Sequence, residues 1–288
     1  MENKTSVAIL MATYNGAQYL RAQIDSILLQ SCKDWTLYVH DDGSKDDTLK
    51  IVKEYSEKYD KQIVLLDYPS QGGACQNFLS MLAHVNSPYY MFSDQDDVWH
   101  ENKIETELSI MRAAEKMYGA IPLMVYCDLQ IVDKNLNILA PSFWKISEIY
   151  PEYLNTFEHC AVFPSVTGCT MMINKKALQK VDLSPKYAIM HDAWVALTVF
   201  KHGRGLAIHK SLIDYRQHGN NAVGVLYSTQ VNLCYRIKNM KSMFIKNLRQ
   251  WRMARALGFG SLVMYYKGKM QYKWYCRLRR KQISSDVK

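Results

Sequence analysis

Apolar runs rich in β-branched and aromatic residues alternate with segments of helical apolar spacing through the first half of the chain. The runs predict four strands, at roughly Val7–Thr13, Trp35–Asp41, Ile63–Asp67 and Tyr89–Ser93. The segments that follow them predict four helices, at roughly Ala17–Gln30, Asp46–Tyr59, Cys75–His84 and Glu101–Tyr118. Strands that alternate with helices form βαβ units, so we expect an α/β fold around a mainly parallel central sheet.

The second half of the chain has a less regular pattern. It predicts a strand at Leu123–Val132, a turn in the following "DKNLN", and an irregular aromatic region that ends near Phe163. The stretch "VTGCTMMINKKAL" predicts a strand followed by a helix, and "HDAWVALTVFKHG" has the spacing of a helix with a glycine at its exit. From about Val225 onward the spacing is mostly helical.

Three polar clusters directly follow predicted strands. They are "TYNG" after the first strand, "DDGSKDDT" after the second and "SDQDD" after the fourth. Ligands of open parallel sheets bind outside the carboxyl ends of the strands. The three clusters are therefore expected at one edge of the sheet, where a binding site would form.

The cluster "SDQDD" places three carboxylates at the end of a strand that should be buried. One carboxylate near the start of the next helix is explained by the helix dipole, but three are not. Asp94 and Asp96 are two positions apart and can turn toward one site, where a divalent cation would offset their repulsion. Mg²⁺ or Mn²⁺ binds few protein carboxylates and takes phosphate oxygens for its other positions, so the pattern predicts a metal ion bound together with a diphosphate.

The cluster "DDGSKDDT" has an explanation in local turn chemistry. Gly43 suits a turn, and Ser44 with Asp47 three positions later resembles a capping box for the next helix. This explanation does not account for Asp41 and Asp42, which both lie at the end of the strand. A ligand role for at least one of them stays open on spacing alone.

The composition indicates one large domain, or one domain with an appendage: the chain has 288 residues, of which 48% are hydrophobic. Seven scattered cysteines without a CxxC pair predict reduced thiols in a cytosolic compartment rather than a zinc ribbon or a disulfide framework. The first apolar run is too short for a secretory signal. No run approaches the roughly 18 apolar residues that a membrane span needs.

The positive charge is concentrated in the last part of the chain. Residues 225–288 contain fifteen Lys and Arg and one acid, which gives +14, whereas the whole chain carries +9, so residues 1–224 carry −5. Cations and aromatic residues alternate along this part, as in amphipathic helices that bind an anionic membrane surface. Packing on the catalytic part is the plain alternative. We expect no nucleic-acid binding, because the acidic first part would repel a phosphate backbone.

In order and spacing, "ATYNG", "DDGSKDDT" and "DQDDVW" resemble the nucleotide-sugar-binding half of family 2 glycosyltransferases, which have the GT-A fold. The later "GCTMMIN", "MHDAW" and "YRQHGNNAVG" resemble, more narrowly, the bacterial rhamnosyltransferases of that family. The resemblance covers roughly residues 5 to 225. It implies a GT-A catalytic domain at 1–224, with a nucleotide-binding part at about 1–100 and an acceptor part at about 101–224. The charge and spacing described above predict a separate basic, mostly helical region at 225–288.

The resemblance implies roles for the first two polar clusters. Thr13, Tyr14 and Asn15 would lie along the nucleotide, and Asp41 or Asp42 would contact the base or the ribose. The loop "PSQGGACQNF" would pass beside the sugar donor.

Asp94 and Asp96 match the DxD element of the family, and the resemblance favours Asp96 as the direct metal ligand. Asp97 is an additional acid whose role between metal, ribose and helix cap stays open.

The resemblance also implies a catalytic base. Inverting members usually have an acidic pair, often Glu-Asp, at the position of "MHDAW", and here the first member is His191. Asp192 remains the candidate base, although the role of its neighbour is then in doubt. The alternative is that Asp192 only caps the helix that follows it.

The string "YRQHGNN" would fold over the diphosphate. Arg216 could pair with a phosphate in a bidentate manner and His218 could complete the metal shell. A surface histidine in an ordinary polar turn is the alternative.

Together these features predict an inverting, metal-dependent glycosyltransferase with Mg²⁺ or Mn²⁺ as its cofactor. The resemblance favours dTDP-L-rhamnose as the sugar donor and a saccharide or lipid-linked acceptor, in bacterial surface polysaccharide synthesis at the inner face of the cell membrane. The alternatives are a transferase of the same fold that uses a UDP-hexose or UDP-N-acetylhexosamine, and a catalytically silent, membrane-tethered nucleotide-binding protein. A metal-dependent phosphatase is disfavoured because the chain lacks a DxDxT motif.

Overall fold

The computed structural model describes residues 6–218 and 240–286, and the first half of this range confirms the predicted alternation of strands and helices. The described strands are β1 (Val7–Thr13), β2 (Trp35–Asp41), β3 (Ile63–Leu65), β4 (Tyr89–Ser93), β5 (Val98–Trp99), β6 (Leu123–Val132), β7 (Ile138–Ala140), β8 (Met171–Asn174) and β9 (Arg204–Arg216). The described helices are α1 (Ala17–Leu28), α2 (Thr48–Lys58), α3 (Ala74–His84), α4 (Lys103–Tyr118), α5 (Phe143–Ser147), α6 (Phe157–Val162), α7 (Lys175–Leu178), α8 (His191–His202), α9 (Met240–Ala256) and α10 (Leu262–Asp286). A short 3₁₀ turn at Gly168–Thr170 precedes β8.

The strands described form one mixed sheet in the order β3-β2-β1-β4-β8-β6-β9-β5, with β7 paired to β6. Strands β1 to β4, β6 and β9 run in one direction, and β5, β7 and β8 run against them. The expectation of a mainly parallel sheet is thus confirmed. Because β8 is antiparallel between β4 and β6, the turn that precedes it lies at the same edge as the carboxyl ends of the parallel strands.

Helices cover both faces of the sheet, as the alternation of side chains along β1 requires. Val7, Ile9 and Met11 pack with apolar residues of α1, α2 and α4 on one face. Ala8 and Leu10 face the other side, where α3, α6, α8, α9 and α10 contribute to the core. The molecule therefore has three layers, and the edge that carries the polar clusters lies between the two helical layers.

The region between β7 and the 3₁₀ turn corrects one prediction. It was expected to be irregular, but it contains α5 and α6. Each begins with a hydroxyl cap: Ser142 Oγ accepts the Lys145 N–H at 3.0 Å, and Thr156 Oγ1 accepts the His159 N–H at 3.3 Å. Helices of five and six residues are too short to show an apolar period. The strands β5 and β7, with two and three residues, were missed for the same reason.

The predicted capping box for α2 is also wrong. The Ser44 hydroxyl donates to Asp41 Oδ1 at 2.5 Å and accepts the Asn15 N–H at 2.8 Å, so it ties two strand ends together. Asp46 Oδ1 accepts the Thr48 N–H at 3.0 Å instead, and the helix begins at Thr48.

The helical character predicted for the C-terminal region is confirmed for α9 and α10, while the proposed domain boundary at 224/225 and residues 225–239 lie outside the described residues. Helix α10 is fixed to the middle of the chain, because the Tyr272 hydroxyl donates to the Glu148 carbonyl oxygen at 2.5 Å and accepts the Tyr150 N–H at 3.2 Å. Close packing continues at Gly268, where a Cβ would lie 2.9 Å from Cγ1 of Val162. None of the described helices has the length and apolar character that crossing a bilayer requires.

Candidate active site

An amide clamp joins the end of β1 to the acidic loop after β4. The Tyr14 N–H donates to Gln95 Oε1 at 2.9 Å, and Gln95 Nε2 donates to the Tyr14 carbonyl oxygen at 3.0 Å. Gly16 provides the space, since a Cβ at this position would lie 2.1 Å from Gln95 Oε1. The Tyr14 side chain is 54% exposed, so its ring is available to a ligand at this edge.

Thr13 and Asn15 connect the ends of β1 and β2. Thr13 Oγ1 donates to Asp41 Oδ1 at 2.9 Å. Asn15 Oδ1 accepts the Lys45 N–H at 2.8 Å, and its φ of 46° lies in the left-handed region that asparagine tolerates. These two polar clusters therefore form one continuous surface, as their positions in the sequence predict.

Asp41 and Asp42 both organise loops at the end of β2. Asp41 Oδ2 accepts the Ser44 N–H at 2.8 Å. Asp42 accepts four hydrogen bonds from residues 70–73, the shortest of them from the Gln71 N–H at 2.5 Å. Partial burial raises the pKa of Asp42, but the hydrogen bonds from this loop outweigh it and hold the pKa below its ordinary value. A carboxylate has about four acceptor positions, and the carboxylates of Asp41 and Asp42 each already accept four hydrogen bonds. A ligand contact at either residue stays a prediction and would have to replace one of these bonds.

The acidic loop brings Asp94 and Asp97 together with Cys169 of the 3₁₀ turn. One potential ligand atom of each lies within 4.8 Å of the others. Asp97 is fully buried, and its Oδ2 has no hydrogen-bond partner among the described residues. A buried carboxylate oxygen without a partner is costly, which indicates that a further group belongs at this site.

The electrostatics of the loop point in the same direction. Burial, followed by the charges of Asp96 and Asp192, raises the pKa of Asp94 to about 7. Burial and the charges of Asp94 and Asp96 also raise the pKa of Asp97 well above its ordinary value. A bound divalent cation would remove this repulsion, so the residues present fit a metal ion.

The end of β9 closes over the acidic loop. His218 Nε2 and Asp96 Oδ2 are 2.8 Å apart, and the His218 ring stacks on Tyr19 with 4.9 Å between centroids. Arg216 is buried and donates from Nε to the Asp96 carbonyl oxygen at 2.8 Å and from Nη1 to the Lys134 carbonyl oxygen at 2.7 Å. The structure thus places His218 and Asp96 together, as ligands of one ion would be, and places Arg216 beneath the loop. Their roles toward metal and phosphate stay predictions.

Asp192 lies at the start of α8 and faces the acidic loop. Its Oδ1 accepts the Ala193 N–H at 2.6 Å, and its Oδ2 accepts the Gly168 N–H at 3.1 Å. Burial raises the pKa of Asp192 to about 6, against the opposing effect of these hydrogen bonds. The helix itself begins at His191, with Met190 as the N-cap residue, so capping does not account for the second bond, to Gly168.

His191 points away from solvent and is 4% exposed. Its ring lies 4.0 Å from the Phe78 ring and 5.0 Å from the Phe92 ring, measured between centroids. Burial lowers its pKa to about 3, so the imidazole is neutral, and neither ring nitrogen has a hydrogen-bond partner among the described residues. His191 is therefore neutral at a position where the family that the sequence resembles usually has an acidic residue. As a result, Asp192 has no negatively charged neighbour at residue 191.

Sequence reasoning missed Cys169 and Gln95 as parts of the site. Cys169 has no metal-binding cysteine spacing, and its proximity to Asp94 follows from the antiparallel placement of β8 between β4 and β6. Gln95 lies between two carboxylates that drew attention by their charge. The sequence did contain one indication of this contact. A glycine such as Gly16, directly after a strand, can mark a place where another group packs closely against the backbone.

The sequence of this chain is similar to those of several known proteins. A family model described as Glycosyl transferase family 2 matches residues 8–182. The dTDP-rhamnosyl transferase RfbG of Shigella flexneri is 30% identical over 281 residues, which cover 90% of this chain and 88% of RfbG. The UDP-Glc:alpha-D-GlcNAc-diphosphoundecaprenol beta-1,3-glucosyltransferase WfgD of Escherichia coli is 36% identical over 213 residues, covering 72% of this chain and 74% of WfgD.

The fold is also found among solved structures. The mannosyltransferase PcManGT of Pyrobaculum calidifontis, in complex with GDP-Man and Mn²⁺, matches with a TM-score of 0.57 over 99% of this chain and 86% of its own. The sequence identity is 14%, so this likeness concerns the fold alone.

Proposed function

Because the chain belongs to glycosyl transferase family 2, we propose that it transfers L-rhamnose from dTDP-L-rhamnose to a saccharide or lipid-linked acceptor in the synthesis of a bacterial surface polysaccharide. The choice of sugar donor is supported by the similarity to RfbG along 90% of this chain. A UDP-hexose or UDP-N-acetylhexosamine is the second candidate, supported by the 36% identity to WfgD, whose name gives UDP-glucose as its sugar donor.

The observation that carries the proposal is the meeting of two kinds of carboxylate at one edge of the sheet. Asp94, Asp96 and Asp97 form a loop whose repulsion favours a cation, and Asp192 is close enough for its charge to raise the pKa of Asp94. Transfer of a glycosyl group needs charge stabilisation for a leaving diphosphate and a base for the acceptor hydroxyl. The proximity of these carboxylates supports both roles at one site.

The base in this proposal is Asp192. Its pKa of about 6 leaves it mostly ionised near neutral pH yet basic enough to take a proton from an attacking hydroxyl. Gly168 orients the carboxylate through Oδ2, and the Asp192 side chain is half-buried. Proton removal of this kind contributes about 10²- to 10⁴-fold in rate. Attack by the hydroxyl from the face opposite the leaving diphosphate inverts the anomeric carbon, so a β-linked L-rhamnose donor would give an α-L-rhamnoside.

The residues that would hold a metal ion are Asp94 and Asp96, with His218 beside Asp96. A Mg²⁺ or Mn²⁺ ion bound there would stabilise the negative charge that develops on the departing diphosphate. Burial raises the pKa of the Cys169 thiol well above its ordinary value, which keeps it protonated. We therefore assign the thiol no metal contact, because hard cations of this type take oxygen ligands.

The test is a nucleotide-release assay with four sugar donors: dTDP-L-rhamnose, UDP-glucose, UDP-galactose and UDP-N-acetylglucosamine. Membrane lipid extract serves as the acceptor, and each reaction is run with and without EDTA. We expect turnover of dTDP-L-rhamnose alone, abolished by EDTA and restored by added Mg²⁺ or Mn²⁺. Turnover of a UDP-sugar alone would replace the sugar donor, and EDTA-resistant turnover would remove the metal from the proposal.

Variants separate catalysis from binding. Asp96→Asn and Asp192→Asn should each abolish most turnover, whereas Asp60→Asn, at an exposed carboxylate in the turn after α2, should not. A protein that binds the nucleotide but turns over none of the four sugar donors would instead support the catalytically silent alternative.

A further inference from the structure

Helix α10 has two faces of opposite character. Tyr265, Tyr272 and Cys276 point inward and are at most 6% exposed. The opposite face carries exposed apolar residues at helical spacing: Val263 at 78%, Met270 at 65%, Trp274 at 63% and Leu278 at 39%. We call these four residues the outer stripe. Burial of large apolar side chains is favourable, so a stripe of this length indicates a partner.

Cations accompany the outer stripe. Helix α10 contains seven Lys and Arg residues and a single acid, Asp286, at its end. Lys267, Arg277 and Lys281 are exposed and recur three or four positions from the apolar residues, on the same side of the helix. Their aliphatic stems can lie along an apolar surface while the charged ends reach a polar layer.

The partner has to be both apolar and anionic. A second copy of this chain would place the cations of two α10 helices against each other, which is unfavourable. A nucleic acid would neutralise the cations but offers a polar backbone to Val263, Met270 and Leu278. An anionic bilayer offers an acyl layer for the apolar side chains and phosphate headgroups for the cations at the matching depth, and tryptophan is favoured at that boundary.

We propose that the outer stripe of α10 is a docking surface for an anionic lipid bilayer. The helix lies in the plane of the headgroups, with Met270 and Trp274 inserted and Lys267 and Arg277 paired with lipid phosphates. Because α10 is fixed to α6 through Gly268 and to Glu148 through Tyr272, docking sets the orientation of the whole catalytic part relative to the membrane surface. This inference stands on the exposed helix face and does not depend on the proposed sugar donor.

The experiment is co-sedimentation of the full chain, without substrate, with vesicles of phosphatidylcholine or of phosphatidylcholine mixed with phosphatidylglycerol. We expect binding to the mixed vesicles only, weakened by added salt. The double variant Met270→Gln/Trp274→Gln and the double variant Lys267→Gln/Arg277→Gln should each lower the partition coefficient roughly tenfold or more. The matched control is Lys116→Gln/Met117→Gln on α4, which changes an exposed cation and an apolar side chain that is 74% exposed.

Insertion is tested separately by quenching of tryptophan fluorescence with brominated phosphatidylcholine in the mixed vesicles. Quenching should be present in the unchanged chain and largely lost in Trp274→Phe. Equal sedimentation with both vesicle types, or binding that neither double variant weakens, would overturn the inference. If the protein does not bind vesicles but self-associates with rising concentration, and Met270→Gln/Trp274→Gln abolishes this association, the outer stripe belongs to a dimer. If RNA or DNA alone releases the protein from vesicles, the outer stripe belongs to a nucleic-acid interface. Since no sugar donor is present, a failure here leaves the proposed transferase activity untouched.

Discussion

The pH dependence of turnover gives a direct test of Asp192 as the base. Burial raises its pKa to about 6, and a general base works only when deprotonated. The rate should therefore fall as pH falls through this value. At pH 5, a carboxyl group with a pKa of 6 is only about 9% ionised, whereas one with an ordinary pKa near 3.9 is still about 93% ionised. The structure thus predicts a loss of about tenfold in kcat/KM between pH 7 and pH 5.

The assay is kcat/KM for nucleotide release across this pH range, at saturating divalent metal, because this parameter reports ionisations of the free enzyme. Saturating metal matters since Asp94, whose pKa is raised to about 7, would otherwise add its own titration. Asp192→Asn should lower the rate by about 10²- to 10⁴-fold, and its residual activity should lose the acid limb. Asp60→Asn serves as the control, because Asp60 lies before the start of β3, at the sheet edge opposite the polar clusters. This variant should keep the fall in kcat/KM at acid pH.

Two results would refute the reasoning. An acid limb near pH 4 would mean that burial does not set the ionisation of the base. A limb at the same position in Asp192→Asn would mean that another group titrates there, and the base would then have to be sought elsewhere in the cleft.

Two further predictions concern buried contacts. Gly168→Ala would place a Cβ 2.8 Å from Nε2 of His191, so the turn should shift. We expect kcat to fall roughly 10²-fold while the far-UV circular dichroism spectrum stays unchanged. A kcat equal to that of the unchanged protein would contradict this prediction. Lys103 and Glu107 form an ion pair whose side chains are 0% exposed, so Lys103→Met should lower the free energy of unfolding by about 3–5 kcal/mol, and Lys103→Met/Glu107→Leu should recover most of it. Urea denaturation measures both variants, and a single variant as stable as the unchanged protein would contradict the second prediction.

The positions of the polar clusters could be predicted from the sequence, because the carboxyl ends of parallel strands meet at one edge of the sheet. Thr13, Asp41 and Asp94 each end or directly follow a strand whose apolar run is clear, and the fold rule brings such positions together. Asp192 was placed at the start of a helix for a different reason, the helical apolar spacing of the residues that follow it.

The rest of the site depends on pairings that no local pattern records. Cys169 reaches Asp94 and Asp97 only because β8 runs against its neighbours, and a single strand does not state its direction. Burial of His191 between Phe78 and Phe92 likewise joins α8 to α3 and β4, which are far from it in the sequence. The helices α5 and α6 were not predicted because they are too short to show an apolar period, and their capping hydroxyls are also common in turns.

The insertion of β8 between β4 and β6 has a consequence for the order in which the protein matures. When the chain is synthesised from its N-terminus, β4 has no partner on one side until residues 171–174 have emerged, and an open apolar strand is a site for aggregation. The contact between Asp96 and His218 can form only later, because these residues are separated by 122 positions. A fragment that stops after the acidic loop would therefore contain Asp94, Asp96 and Asp97 but neither β8 nor His218. The site is complete only when residue 218 is present, so a ligand that needs both Asp96 and His218 should stabilise the full chain and not such a fragment.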